Sequence, residues 1–332
     1  MKKILFFIFS FFIFHFSFSQ DIHFSQFYVN PVIINPANTG NFSGNWRVIS
    51  SFRNQTNSVN SPYKTTTLTF EHPVYYYTEK ASVGLIYIND FASDNTLITN
   101  KIYFSTAYFR KISKKSYLHL GFQFGYVHKK YSLENLSFPD QFDMETGLFN
   151  PNSQTLEYFE NQKKSYLDLN WGLMWSRITD NLKIETGISM FHYNLPNESF
   201  FENDENLPLK FNLHGYLIYT FENDIFLSPK LLYSIQKKAS EFLIGSDIGY
   251  SFENNTKVFA GTYFRGGFFR NSDAFIARFG LLYKNFEYSF NYDLELYSKR
   301  NNSFSKTAFE LTIKYIRPLT EIKNTTIPCE IF

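Results

Sequence analysis

The side chains best suited to catalysis or metal binding in this sequence are its histidines, and none of them stands in a recognised catalytic motif. Ser189 and His192 are three residues apart, which on a strand puts them on opposite faces and argues against a nucleophile–base pair. His119 and His214 have no carboxylate at a ligand-like spacing beside them. The HExxH, GxSxG and phosphate-binding glycine patterns do not occur, and Cys329 is the only cysteine. We therefore predict no enzyme activity, no cofactor and no metal site.

Charge and composition argue against a nucleic-acid-binding protein and against a disordered chain. The chain has 32 Lys and Arg against 30 Asp and Glu, and loss of Lys2 and Lys3 with a leader would leave 30 of each. A neutral mature chain offers no electrostatic basis for binding nucleic acid. Aromatic residues make up 20% of the chain and charged residues only 19%, which excludes a disordered chain.

The first residues have the pattern of an export signal. Lys2 and Lys3 precede an apolar run over 4–14, and Ser17 and Ser19 supply small residues before Gln20. The apolar run is too short to span a membrane comfortably as a helix. We expect residues 1–19 to be a signal peptide and the mature chain to start at Gln20.

Beyond residue 40, apolar and polar residues alternate with period two, most clearly over 118–127, 167–176, 286–295 and 307–316. A soluble β-sandwich also alternates, but its strands usually have about five or six residues. Segments of about ten residues, with aromatic rings near their ends, are typical of strands that cross a membrane. The sequence therefore predicts an all-β fold, a transmembrane outer-membrane β-barrel whose apolar face contacts lipid.

Fourteen candidate strands fit this pattern, an even number as in single-chain bacterial barrels. They cover 44–54, 63–72, 81–89, 97–111, 116–131, 165–176, 181–193, 208–221, 225–236, 240–252, 257–265, 274–284, 286–295 and 305–316. Short and long connections alternate along the chain, with the short link 237–239 as the exception. Because such barrels have short periplasmic turns and long external loops, both termini are expected in the periplasm.

Two regions flank the predicted barrel, which covers 44–316. In residues 20–43, Asn30-Pro31 and Asn35-Pro36 impose extended or turned backbone, so we expect this segment at the periplasmic mouth or in the lumen. Residues 317–332 are expected to form a periplasmic tail. Polar residues on the inward face are interpreted as a lumen network of ion pairs that fills or plugs the barrel: Arg53, Asp168, His214, Asp247, Arg265, Arg278, Asp293 and Glu310.

The two longest connections, 132–164 and 194–207, are expected to be external loops. They contain more apolar side chains than a solvated loop usually holds, together with acidic residues. These features suggest a partner-binding surface, although the rings would serve equally well to pack the loops on the barrel. The candidate contacts are Phe138, Asp140, Gln141, Phe142, Phe149, Tyr158, Phe200 and Phe201.

Several short motifs together resemble one family. The opening Gln20-Asp21-Ile22-His23-Phe24-Ser25-Gln26-Phe27-Tyr28 is followed by Asn30-Pro31, Asn35-Pro36-Ala37 and Gly40. Further along come Arg53-Asn54-Gln55, Phe138-Pro139-Asp140-Gln141, Gly187-Ile188-Ser189, Asp273-Ala274 and Tyr292-Asp293. Their order and spacing are similar to the PorP/SprF family of type IX secretion outer-membrane proteins.

This resemblance implies an accessory barrel of type IX secretion. It would bind the C-terminal sorting domain of a secreted adhesin or other cargo and retain it at the cell surface, in some members in connection with gliding motility. Other secretion components and outer-membrane lipid would be further partners. From the residues alone, an outer-membrane transporter or narrow porin remains the alternative.

Overall fold

The computed structural model describes residues 27–56, 63–77, 79–92, 96–132, 141–143, 147–150, 162–200, 206–268, 273–295 and 307–319. Sixteen strands lie in these ranges, and fourteen of them close into a single antiparallel barrel. None of the helices in these ranges has the length and apolar character needed to cross a membrane.

The barrel strands are long and continuous. In chain order they are β1 (Trp46–Thr56), β2 (Tyr63–Tyr76), β3 (Glu79–Ala92), β4 (Leu97–Ser113), β5 (Ser116–Tyr131), β8 (Lys163–Ile178), β9 (Leu182–Phe191), β10 (Lys210–Thr220), β11 (Ile225–Gln236), β12 (Ala239–Ser251), β13 (Lys257–Phe268), β14 (Ala274–Tyr283), β15 (Phe286–Glu295) and β16 (Thr307–Arg317). The other two, β6 (Phe142–Asp143) and β7 (Leu148–Phe149), form a small separate hairpin.

Each barrel strand pairs with its neighbours in the chain, and β1 pairs with β16 from Trp46↔Arg317 to Thr56↔Thr307. This closure pairs every barrel strand on both sides, so the backbone groups within the paired registers are not exposed to lipid. The predicted barrel of fourteen antiparallel strands is therefore confirmed. The hairpin of β6 and β7 was not predicted, because two paired residues on each side are too few to produce a visible alternation.

The two ends of the barrel differ in their connections. At one end, here called the turn end, short links such as Lys114–Lys115 and Lys284–Asn285 join the strands, and the chain enters β1 and leaves β16. The opposite end, here called the loop end, carries the connections after β5 and β9, which are the longest. The exception noted from the sequence is present, since Lys237 and Lys238 alone join β11 to β12 at the loop end. Lys237 has a positive φ of 56°, as tight hairpin turns require.

The alternation of residue types corresponds to the two faces of the barrel wall. Leu120, Phe122, Phe290 and Leu311, which lie on the apolar faces of the alternating segments, are 42%, 55%, 39% and 49% exposed on the outer surface. Their neighbours in the chain point into a lumen lined largely by polar side chains that are nevertheless buried, such as His119. An apolar outside and a polar inside are the reverse of a soluble protein and suit a barrel surrounded by lipid.

Arginine substitutions at two membrane depths on one strand test which part of the barrel wall contacts lipid. Leu173 and Ser165 lie on the outward face of β8, eight residues apart, with Ser165 near the loop end. Arg at mid-membrane costs about 2–4 kcal/mol but only about 0–1 kcal/mol near the interface. Leu173→Arg should therefore lower the urea midpoint for unfolding from lipid vesicles clearly more than Ser165→Arg does. Equal losses would contradict the position of the lipid band on β8.

Candidate functional site

The lumen is occupied by the chain's own N-terminal segment, residues 27–45, which holds two short 3-10 helices, Pro31–Ile33 and Pro36–Asn38. Proline at the first helical position fixes φ and loses no needed N–H group. Asn35 caps the second helix, since its Oδ1 accepts a hydrogen bond from the Ala37 N–H at 2.9 Å. The Asn-Pro pairs that the sequence singled out thus build a compact, turned plug segment.

Asn35 also fastens this segment to the barrel wall. Its Nδ2 lies 3.2 Å from the carbonyl oxygen of Leu173 on β8 and 3.1 Å from that of Ile188 on β9. The same atom is 3.0 Å from Nε2 of His214 on β10. Asn35 is fully buried, so a single amide satisfies its own hydrogen-bonding groups while joining the plug to three strands.

Three glycines of the wall leave the room that this contact needs. A Cβ added at Gly121 would lie 2.2 Å from the backbone of Pro36 and Ala37, and one at Gly172 would lie 1.9 Å from Asn35 Oδ1. At Gly187 it would lie 2.8 Å from Asn35 Nδ2. Gly121 and Gly172 are directly opposite each other on β5 and β8. The glycines form a recess shaped to the Asn35-Pro36-Ala37 turn.

Wall side chains also bind the backbone of the plug segment. Ser189 Oγ donates to the carbonyl oxygen of Ile34 at 2.6 Å, and Asn212 Nδ2 donates to the same oxygen at 3.0 Å. Nearer the turn end, the Gly40 N–H donates to Glu71 Oε2 at 2.7 Å. These bonds to backbone groups are independent of the plug's own side chains, and they hold the segment along much of its length.

Aromatic and cationic groups hold the first described residues. The Tyr28 ring stacks on Tyr263 with centroids 5.3 Å apart, and Lys230 Nζ lies 4.0 Å from its centroid. Arg278 lies 4.7 Å from the same ring centroid. Burial raises the pKa of the Tyr28 phenol above its ordinary value, so the ring is a neutral partner for both cations. Phe27 packs beside them in a buried apolar cluster.

The predicted lumen residues form two ion-pair clusters on the wall. Asp247 accepts hydrogen bonds from Lys230, from Arg278 and, at 2.7 Å, from the Tyr263 hydroxyl. In the second cluster Arg53 pairs with Glu310 and lies 3.3 Å from Asp293, which also accepts from Arg265 at 3.0 Å. All of these charged groups are buried. Charges removed from water in this way need such partners.

The remaining two members of the predicted network lie elsewhere in the lumen. Asp168 accepts from the Tyr103 hydroxyl at 2.9 Å and lies 2.9 Å from His192 Nδ1. His214 contacts Asn35 rather than a carboxylate. The eight residues are therefore distributed over several clusters, although each one is buried inside the barrel.

Sequence reasoning missed several inward charged residues, among them Arg47, Glu71 and Lys230, whose partners lie on the neighbouring strand or on the plug. Glu71 pairs with Arg47 at 2.7 Å and also receives the Gly40 N–H, and Lys230 pairs with Asp247. The feature of the sequence that could have identified them is their inward-facing position in the alternation of β1, β2 and β11. No sequence pattern identifies which inward charge meets which.

Ser189 and His192 have structural roles, and the prediction that they lie on opposite faces of a strand was wrong, because β9 ends at Phe191 and both side chains are buried. Ser189 binds the plug through Ile34, whereas His192 lies beside Asp168, so the two side chains serve different contacts. Across the ranges that the structure describes, no three His, Cys, Asp or Glu side chains lie close enough to share a metal ion.

Only part of the predicted partner surface lies within the described residues. Phe142 on β6 is 47% exposed and pairs in register with Phe149 on β7. Gln141 is buried, and Phe200 is half-buried with its ring centroid 6.3 Å from that of Tyr131. The other candidates lie outside the described residues: Phe138, Asp140, Tyr158 and Phe201.

Comparison with solved structures identifies barrels of similar architecture. The toluene transporter TodX of Pseudomonas putida has a TM-score of 0.53 at 10% identity, covering 86% of this chain and 92% of that one. The toluene transporter TbuX of Ralstonia pickettii has a TM-score of 0.51 at 9% identity, covering 88% and 94%. The monoaromatic hydrocarbon channel CymD scores 0.52 at 10% identity, covering 88% and 93%. These similarities concern the fold alone.

Sequence comparison is more specific about the family. A search of curated proteins finds no match. A family model described as "Type IX secretion system membrane protein PorP/SprF" matches residues 16–315, which include all the barrel strands except the last two residues of β16, together with the plug segment. The chain belongs to the PorP/SprF family of type IX secretion membrane proteins.

Proposed function

We propose that this protein is an outer-membrane accessory barrel of the type IX secretion system that binds a secreted adhesin or other cargo through its C-terminal sorting domain and retains it at the cell surface. Family membership supports the secretion role. The filled lumen is the observation that favours a binding protein over a channel, because residues 27–45 occupy the path that a solute would take. Retention linked to gliding motility is part of the same proposal.

The proposed orientation has both chain ends in the periplasm and the loop end outside. Its support is the alternation of short links at the turn end with long connections at the loop end. Cargo held at the cell surface must then contact the loop end. There the hairpin of β6 and β7 presents the exposed Phe142, an aromatic side chain of the kind that anchors protein interfaces.

The alternative function is that of an outer-membrane transporter or narrow porin. It is supported only by the similar solved structures, which are described as channels and transporters. Similarity at 10% identity extends only to the barrel shape. An ion or small solute entering this lumen would have to displace the Asn35 anchor and the buried ion pairs around Asp247. We therefore favour the binding function.

Capture of secreted cargo provides the test. Purified barrel should retain proteins with a type IX sorting domain from the culture medium, and replacing Phe138 and Phe142 together by Ala should weaken retention about thirtyfold, the equivalent of losing about 2 kcal/mol. The matched control replaces Tyr76 and Tyr77, which are 73% and 91% exposed at the turn end. These two rings should be dispensable if cargo binds at the loop end.

Two results would contradict the proposal. Failure of the unaltered barrel to retain any sorting-domain protein would reject the function, and full retention by a correctly assembled Phe138/Phe142 variant would reject the hairpin as the contact. The orientation of the barrel is tested separately in intact cells that carry Asn150→Cys, next to β7, in a Cys329→Ser background. A membrane-impermeant maleimide should label it without cell lysis.

A further inference from the structure

We propose that the free edge of β8 at the loop end, residues 163–167, is a docking site where an extended acidic segment of the secreted partner adds a strand to the barrel wall. This inference rests on the proposed function and deepens it, since it specifies the position and the chemistry of one cargo contact. Docking of an extended segment on an exposed strand edge is a common mode of peptide recognition.

The edge exists because β8 continues beyond its neighbour. On one side β8 pairs with β5 all the way to Lys163↔Lys130. On the other side its register with β9 ends at Trp171↔Met190, because β9 stops at Phe191. In the described part of the chain, the end of β8 nearest the loops thus has a strand on one side only.

Hydrogen bonds near Asn194 reveal which backbone groups point toward this edge. The Leu169 N–H donates to Asn194 Oδ1 at 3.0 Å, and the Leu167 carbonyl oxygen accepts from Asn194 Nδ2 at 2.7 Å. Backbone groups of a strand alternate in direction with a two-residue period. The Leu167 N–H and both backbone groups of Ser165 and Lys163 therefore face the same way. Among the described residues none of these five groups has a hydrogen-bond partner on that side, as on an open strand edge.

The described part of the connection after β9 covers the inner face of this wall and leaves the edge free. Leu207 packs in a buried cluster with Val127 and Tyr166, which both point inward. Glu198 pairs with Lys129, also on the inward side. The connection therefore caps the lumen from within, while the outward-facing Leu167 remains 49% exposed.

Charge around the edge determines the chemistry of the occupant. Lys129 lies opposite Lys164, and Lys130 lies opposite Lys163, so two pairs of like charges face each other across β5 and β8. Like charges in directly opposite positions destabilise a sheet, and Glu198 neutralises one of the four. In the described ranges no acid pairs with Lys130 or Lys163. A strand bearing acidic residues beside Lys163 and an apolar residue beside Leu167 would complete both the hydrogen bonds and the charge balance.

A designed eight-residue strand that carries glutamate beside Lys163 and valine beside Leu167, on the same face of the strand, probes this edge in the full-length, detergent-solubilised barrel. Ser165→Pro removes one edge N–H group and introduces a ring there, whereas Ser165→Ala retains the N–H group. Both variants lose the 2.8 Å bond between Ser165 and His128, so they form a matched pair. Proline is tolerated where an N–H group faces away from the neighbouring strand. Fluorescence anisotropy should show at least tenfold weaker binding to Ser165→Pro than to Ser165→Ala.

Two peptide controls use the unaltered protein and so do not depend on the folding of a variant. A peptide N-methylated on alternate residues, and one with lysine replacing glutamate, should each bind at least tenfold more weakly than the parent peptide. Equal binding of the methylated peptide, or of the two Ser165 variants, would overturn the edge as the site. Slow amide hydrogen exchange at Ser165 and Leu167 in the free protein would overturn it too, because the chain's own loop would then cover the edge.

Cargo capture separates this inference from the function on which it rests. If the unaltered barrel retains no sorting-domain protein, the proposed function fails irrespective of the peptide result. If Ser165→Pro and Ser165→Ala retain cargo equally well, the function stands and the edge is rejected. Loss of capture in Ser165→Pro alone, with slower exchange at Leu167 in the wild-type complex, is the expected result.

Discussion

Deletion of residues 27–41 is expected to convert a nearly silent barrel into a conducting one. The segment lies across the lumen and is held by Asn35, by the Ser189 bond to Ile34 and by the Glu71 bond to Gly40. All fourteen strands pair with one another rather than with this segment, so the barrel closes without it. Planar-bilayer recordings should then show discrete conductance steps that the intact protein lacks.

Single glycine replacements test the same idea without shortening the chain. Gly172→Val adds a side chain where a Cβ would lie 1.9 Å from Asn35 Oδ1, so it should displace the plug and raise conductance. Gly215→Val is the matched control, because a Cβ at Gly215 meets nothing within 4 Å. Heat-shifted gel mobility establishes assembly for each variant. A folded deletion variant that remains silent would mean that side chains of the wall close the lumen unaided.

The strands could be predicted from the sequence because their signal is local. A lipid-facing outside and a polar inside impose a period of two on each strand, and 118–127 shows it without reference to any other residue. Boundaries were less accurate. β4 continues to Ser113 through four residues that are all exposed, where alternation carries no information, whereas β10 begins only at Lys210 and not at the predicted residue 208.

For the interior, the sequence predicts the types of side chain that line the lumen but not the contacts between them. Inward charges such as Arg53 and Glu310 were recognisable, but they are 257 residues apart and meet because the barrel closes between β1 and β16. The position of the plug depends on glycines of β5, β8 and β9 that no local pattern connects with Asn35. Such contacts follow from the register of the closed sheet, which alternation alone does not specify.

Asp247→Ala is expected to be among the most destabilising single substitutions in the lumen. It removes the carboxylate shared by Lys230 and Arg278, both of which have less than 5% of their side chains exposed. Lys230 is then buried without a paired carboxylate among the described residues, whereas Arg278 keeps Glu287 at 3.6 Å. A buried charge left without its partner typically costs about 3–5 kcal/mol. Urea titration of the protein refolded into lipid vesicles, monitored by tryptophan fluorescence, should show a correspondingly lower midpoint of unfolding.

Asp180→Ala is the matched control, since Asp180 is 97% exposed and lies 3.9 Å from Lys115 at the turn end. Exposed pairs of this kind contribute about 0–1 kcal/mol, so this variant should unfold almost like the parent. Replacing Asp247, Lys230 and Arg278 together by apolar residues should recover much of the loss, because no uncompensated charge remains. Equal midpoints for Asp247→Ala and Asp180→Ala would indicate that water reaches the cluster. In that case the lumen around Tyr28, whose ring Lys230 and Arg278 both contact, would be hydrated rather than sealed.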